Sequence, residues 1–134
     1  VERRVVREQL DHATVDELAA VTSPEQLCLV RAEVRRTHVA EAVLDQALAI
    51  VEATRVAPGV ALGASTRAAL SLVRCAQASA LLDGRDHVRP DDVRTLAPAV
   101  LGHRLVLSDG GAAPVRGQRI VAELLGSVPV QLVR

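Results

Sequence analysis

Residues 65–82, S-T-R-A-A-L-S-L-V-R-C-A-Q-A-S-A-L-L, narrow the folds open to this chain more than any other stretch. They carry two charges, Arg67 and Arg74, and are otherwise small, apolar or uncharged over a length that suits a helix. A helix so poor in charge has to be surrounded by others, which places it at the centre of a bundle. Ala69, Leu72, Val73, Ala76 and Ala80 mark its buried face, and Ser65 is its expected N-cap. Arg67, Ser71 and Arg74, at i, i+4 and i+7, form a narrow polar seam that is either a solvent edge or a functional one. Arg67 falls in the first turn, where a cation meets the positive end of the helix dipole at a cost of up to about 1 kcal/mol. An anion lodged between the guanidinium and the free N–H groups of that turn would make the placement favourable. The residues alone leave this reading open beside a solvated or ion-paired arginine.

The remaining chain reads as helices joined by short breaks. Ser23, Pro24 and Gln26 have the spacing of a capping box and open a helix to about Arg36, with Leu27, Val30 and Val34 on one face. A second helix spans about 40–54 with Val43, Leu44, Ala47, Leu48 and Val51 as its apolar stripe, broken by Ala57-Pro58-Gly59. Residues 60–63 are a short extended lead-in to the central helix, which Asp83-Gly84 ends. Pro90 opens the next helix, with Asp91 and Asp92 set against its dipole and Val93, Leu96, Ala97, Val100 and Leu101 inward. Pro98 is expected to interrupt or kink it. A short strand over 104–107, a loop over 109–114 and a last helix over about 115–125, stopped by Gly126 and Pro129, complete the chain. Residues 1–10 look like a short charged element whose partner lies upstream, and 11–22 like a connector. The expected class is all-α, a small helical bundle.

Composition sharpens what such a bundle can do. The 134 residues suit one domain, and with no Phe, Trp, Tyr or Met its core must be Leu, Val, Ile and Ala, which lets helices approach closely. Sixteen basic residues balance sixteen acidic ones, which argues against nucleic acid as a partner. Every basic residue is arginine, so neither a P-loop nor a Schiff base is available, and any nucleotide is handled with help from elsewhere. Cys28 and Cys75 read as small buried apolar side chains, and His12, His38, His87 and His103 are too scattered to suggest a metal. Arg85 and Asp86 are expected to stabilise the turn between helices, by an ion pair; His103 and Arg104 to pin the following loop; Asp91 and Asp92 to serve as helix-start residues. No signal peptide or membrane-length apolar run is visible, so no membrane association and a cytoplasmic location are expected. With Val1 in place of a methionine, the chain is expected to be a piece of a longer one.

G-A-S-T-R-A at 63–68, G-R-D-H-V-R-P-D-D-V at 84–93 and H-R at 103–104, flanked by A-T-R at 53–55 and V-P-V at 128–130, resemble the C-terminal lid of the MoxR family of AAA+ ATPases. The resemblance covers about 23–130 and implies a helical lid domain over those residues. Residues 1–22 would then connect it to an upstream AAA+ core, with 131–134 as a tail. It implies a bundle packed over nucleotide held by that core, with Arg67 as the sensor-2 residue reaching the γ-phosphate of ATP. Ser65, Ser71 and Arg74 become contacts to nucleotide or to a neighbouring subunit, and no catalytic residue falls in this chain. ATP and Mg2+ would be bound by the full-length protein and neither by this chain alone. The partners implied are neighbouring subunits of a ring, typically a hexamer, and proteins with von Willebrand factor A domains; the activity is ATP-driven, chaperone-like remodelling. The chain departs from the family at Thr66, where a proline is usual, and near Gln46, where an aromatic is frequent. Two other classes remain: a stand-alone helical interaction module pairing like a histone fold, and the lid of a magnesium-chelatase-like AAA+ subunit. The neutral charge counts against the first, and G-A-S-x-R-A followed by H-R leans away from the second.

Overall fold

Gly84 takes φ +72° immediately after the central helix, a left-handed turn that costs a residue without Cβ little, and the chain reverses there as its sequence requires. The computed structural model describes residues 2–11, 18–110 and 114–130; His12, residues 12–17 of the expected connector, 111–113 of the expected loop and the 131–134 tail lie outside the described residues. In chain order the elements are α1 (Glu2–Asp11), α2 (Pro24–Arg36), α3 (Glu41–Arg55), β1 (Val60–Leu62), α4 (Thr66–Leu82), α5 (Pro90–Leu101), a 3₁₀ turn (Gly102–Arg104), β2 (Val106–Leu107) and α6 (Pro114–Leu124). The all-α class holds, with one two-stranded sheet added. The chain divides into two compact units, residues 1–31 and 32–134, with α2 running across the division.

In the first unit the capping box forms as expected. The Gln26 N–H donates to Ser23 Oγ at 3.2 Å, and the Ser23 N–H donates to Gln26 Oε1 at 3.0 Å. The face expected to carry Leu27, Val30 and Val34 is left largely uncovered: α2 buries no residue, Val34 is half-buried, and Leu27, Leu29 and Val30 are exposed, as are Val5, Val6 and Leu10 of α1. Cys28 is exposed as well, against expectation.

The second unit holds the core, built where α3, α4, α5 and α6 meet. Every residue expected on the inner face of α4 is buried, with Ala68 added. Cys75, expected buried, is exposed, since a step of one residue along a helix turns the side chain by about 100° away from Ala76. On α3 the buried arc is Val43, Gln46, Ala47, Ile50, Val51 and Thr54, so Leu44 belongs outside and two polar residues inside. On α5, Val93, Ala97 and Leu101 are buried, with Leu96 and Val100 packed against them. The helix runs unbroken through Pro98, contrary to an interruption. Pro98 sits in the last turn, so its missing N–H removes one bond only, and the Gly102 N–H still donates to the Pro98 carbonyl.

The expected 104–107 strand is shorter than read: Arg104 ends the 3₁₀ turn, and only Val106 and Leu107 pair, antiparallel, with β1. Leu107 lies opposite Val60 and Val106 opposite Leu62, so the extended lead-in to α4 is one strand of this sheet. Gly102 and Gly117 meet backbone to backbone where α6 crosses the 3₁₀ turn; a Cβ on Gly117 would fall on the Gly102 carbonyl. Arg94 of α5 donates to the carbonyls of Leu125 at 2.6 Å and Val128 at 3.0 Å, tying the segment that follows α6 back to α5.

Candidate functional site

The start of α4 is held from below by the end of α3. Thr54 is fully buried; its hydroxyl donates to the Val51 carbonyl at 2.6 Å and accepts from the Ala64 N–H at 2.9 Å. The next residue, Arg55, donates from Nε to the Ala64 carbonyl at 3.2 Å. Gly63 lies flat on this helix end: a Cβ there would stand 2.6 Å from Arg55 Cα and 2.8 Å from the Thr54 carbonyl carbon. Glycine is therefore required at 63 by a close approach of two backbones, with no positive φ involved.

Ser65 is the N-cap, in extended conformation, but its hydroxyl makes no hydrogen bond to the first turn. Its carbonyl accepts from the Ala68 and Ala69 N–H groups instead. Thr66 and Arg67 follow as the first two helical residues, with N–H groups of the kind that no intrahelical acceptor can reach. The Arg67 side chain is exposed, and among the described residues its guanidinium has no hydrogen bond or ion pair. It borders a shallow depression of about 410 Å³ whose other walls are Leu44, Leu48, Thr66, Ala69 and Leu70. The Leu44 that leaves the core of α3 thus forms an apolar floor beside an unpaired cation.

The seam residues fare differently. The Ser71 hydroxyl donates to the Arg67 carbonyl at 3.0 Å and so turns toward its own helix. Arg74 is exposed, about 10 Å further along the helix axis than Arg67, and does not reach the depression wall. Ser65 is exposed at the rim of the first turn.

The opposite end of α4 is an ion-pair hub. Arg85 donates to both oxygens of Asp92, at 2.7 and 2.8 Å, and to Asp83 at 2.8 Å. Asp92 also accepts the Arg89 N–H at 2.8 Å, which joins the turn to the start of α5. The two carboxylates raise the guanidinium pKa further. Burial pushes the Asp92 carboxyl up, but the bonds from Arg85 and the Arg89 N–H outweigh it and hold it below the usual aspartate range. Asp86, expected to pair with Arg85, instead pairs with His87 at 2.9 Å, and its carbonyl accepts the His38 N–H. His103 bonds back to the Ala99 carbonyl of α5. Among the described residues no three His, Cys, Asp or Glu side chains gather as a metal site would need. No helix among them is long and apolar enough to cross a membrane.

Sequence reasoning missed Thr54 as a buried tether, and Arg94. The signal for the first was the A-T-R run, singled out without a role; nothing local marks the second.

Residues 52–124 match the AAA lid domain family. The chain belongs to that family. It is similar to the uncharacterized protein YeaC of Bacillus subtilis, 34% identical over 121 residues that cover 90% of this chain and 38% of that one. It is 38% identical over 97 residues to the chaperone MoxR1 of Mycobacterium tuberculosis, covering 65% of this chain and 26% of that one. A crystal structure from Cytophaga hutchinsonii assigned as an ATPase superposes with a TM-score of 0.65 at 29% identity, covering 75% of this lid and 34% of that chain. The lid thus spans roughly a quarter to two fifths of these relatives' length, and its kin are the lids of MoxR-like AAA+ ATPases.

Proposed function

We propose that this lid senses the nucleotide held by the AAA+ core of its parent protein, with Arg67 as the residue that meets the terminal phosphate of ATP. The observation that carries the reading is the exposed guanidinium at the second residue of α4, unpaired among the described residues and beside outward-facing N–H groups and an apolar depression. A charge-assisted hydrogen bond from such a group contributes about 1.5–3 kcal/mol. Made with ATP and lost with ADP, about 3 kcal/mol changes the ratio of two lid orientations roughly a hundredfold.

The parent binds ATP and Mg2+ in its core and hydrolyses ATP there. The lid passes the resulting motion to neighbouring subunits of a ring, a hexamer, for chaperone-like remodelling of partner proteins, among them proteins with von Willebrand factor A domains. The chaperone designation of the Mycobacterium relative supports the remodelling role. In the full-length protein, Arg67→Ala is expected to lower ATP turnover ten- to a hundredfold with the fold intact. Unchanged turnover removes Arg67 from the mechanism. The isolated lid is expected to hydrolyse no ATP, and turnover by a clean preparation would overturn the placement of the catalytic groups in the core.

A further inference from the structure

We infer that Thr54 and Arg55 are positioning residues for Arg67: together they grip both backbone polar atoms of Ala64 and so fix where α4 begins. The inference rests on the reading of Arg67 as the nucleotide sensor. Ala64 is 2% exposed, so its N–H has no water to turn to when the Thr54 hydroxyl is removed. The Thr54 hydroxyl donates to Val51, which aims its lone pairs at Ala64, and Arg55 closes on the carbonyl of the same residue. Gly63 leaves no slack between the loop and the backbone of α3.

Only Ser65 and Thr66 separate this grip from Arg67, and Ser65 is already bonded into the first turn. Each Ala64 bond limits how far the start of α4 can swing against α3, so the loss of either one loosens the base of Arg67. A sensor needs this constraint, because a side chain that must meet one phosphate oxygen loses its effect when its base drifts by about 1 Å.

The test uses the full-length protein and measures the preference for ATP over ADP as the ratio of their dissociation constants. Arg67→Ala is expected to abolish the preference. Thr54→Val and Arg55→Met are each expected to reduce it five- to tenfold with unchanged circular dichroism, while Thr54→Ser stays within twofold of the parent. Thr54→Val added to Arg67→Ala is expected to change nothing further. A purely structural role would lower the amount of competent protein and leave the ratio as it was.

Should Arg67→Ala lose the preference while Thr54→Val and Arg55→Met keep it, the positioning role is overturned and the sensor reading stands. A loss from Thr54→Val that persists in the Arg67→Ala background also overturns it. If Arg67→Ala keeps the preference, the sensor reading itself fails. Arg55 is exposed, so its variant decides the matter should Thr54→Val not fold.

Discussion

The Asp92 carboxylate accepts two bonds from Arg85 and one from the Arg89 N–H while its own residue sits in the first turn of α5. Asp92→Asn keeps the shape and removes the charge, and it is expected to cost about 1–2 kcal/mol in thermal or chemical unfolding. The pH dependence has a definite sign. A carboxyl held below its ordinary value stabilises the fold above the unfolded value of about 3.9, and that contribution disappears as pH falls through the lower folded value. The gap between the parent and Asp92→Asn should therefore be full at neutral pH, begin to narrow below about pH 4 and close as pH falls through the lower folded value; a gap that does not narrow in acid would contradict the assignment. At this scale the sequence is half legible. Asp92 is legible as a helix-start residue, because P-D-D is a local signal. Its partner Arg85 lies across a turn, and choosing Asp92 or Asp83 over the adjacent Asp86 needs the path of the chain.

Among the elements, the crossing of α6 over the 3₁₀ turn depends on two glycines whose backbones meet. Alanine at 117 would favour the helix by about 1 kcal/mol, but its methyl would meet the Gly102 carbonyl. Gly117→Ala is expected to destabilise by about 2–3 kcal/mol net in denaturant titration, and a stabilised variant would show that the crossing is looser than described. Helix limits were largely legible because caps and breakers act locally: Ser23-Pro24, Gly84 and Pro90 each fall where they were expected. Helix rotation was less so. On α3 the leucines at 44 and 48 outweigh Gln46 and Thr54 in any hydrophobic reading. The buried side is decided by what α4 and the 63–65 loop bring to it, above all the Ala64 N–H that Thr54 must satisfy. The candidate site was legible at Arg67, where charge and helix position conflict, and hidden at Thr54, whose partner lies ten residues on.

For the molecule as a whole, the two units differ in what holds them. The apolar residues of α1 and of the first part of α2 lie exposed, whereas the described residues of the second unit enclose a continuous core. Hydrogen exchange on this chain is expected to separate them: amides of α3, α4 and α5 protected by orders of magnitude, those of α1 near the rate of an open chain. Strong protection across α1 would mean that this helix is held by more than its own exposed face. The lid architecture itself was legible from the central helix and the motifs around it, since both depend on a pattern spread over many residues. The inside of that architecture is lined with alanines at 47, 68, 69, 76, 80 and 97, each nearly or fully out of contact with solvent. Side chains this short have no alternative rotamers and leave neighbouring backbones nowhere to retreat. A lid filled in this way can tolerate little growth from within, so whatever distinguishes one such cover from another must be written on its outer skin.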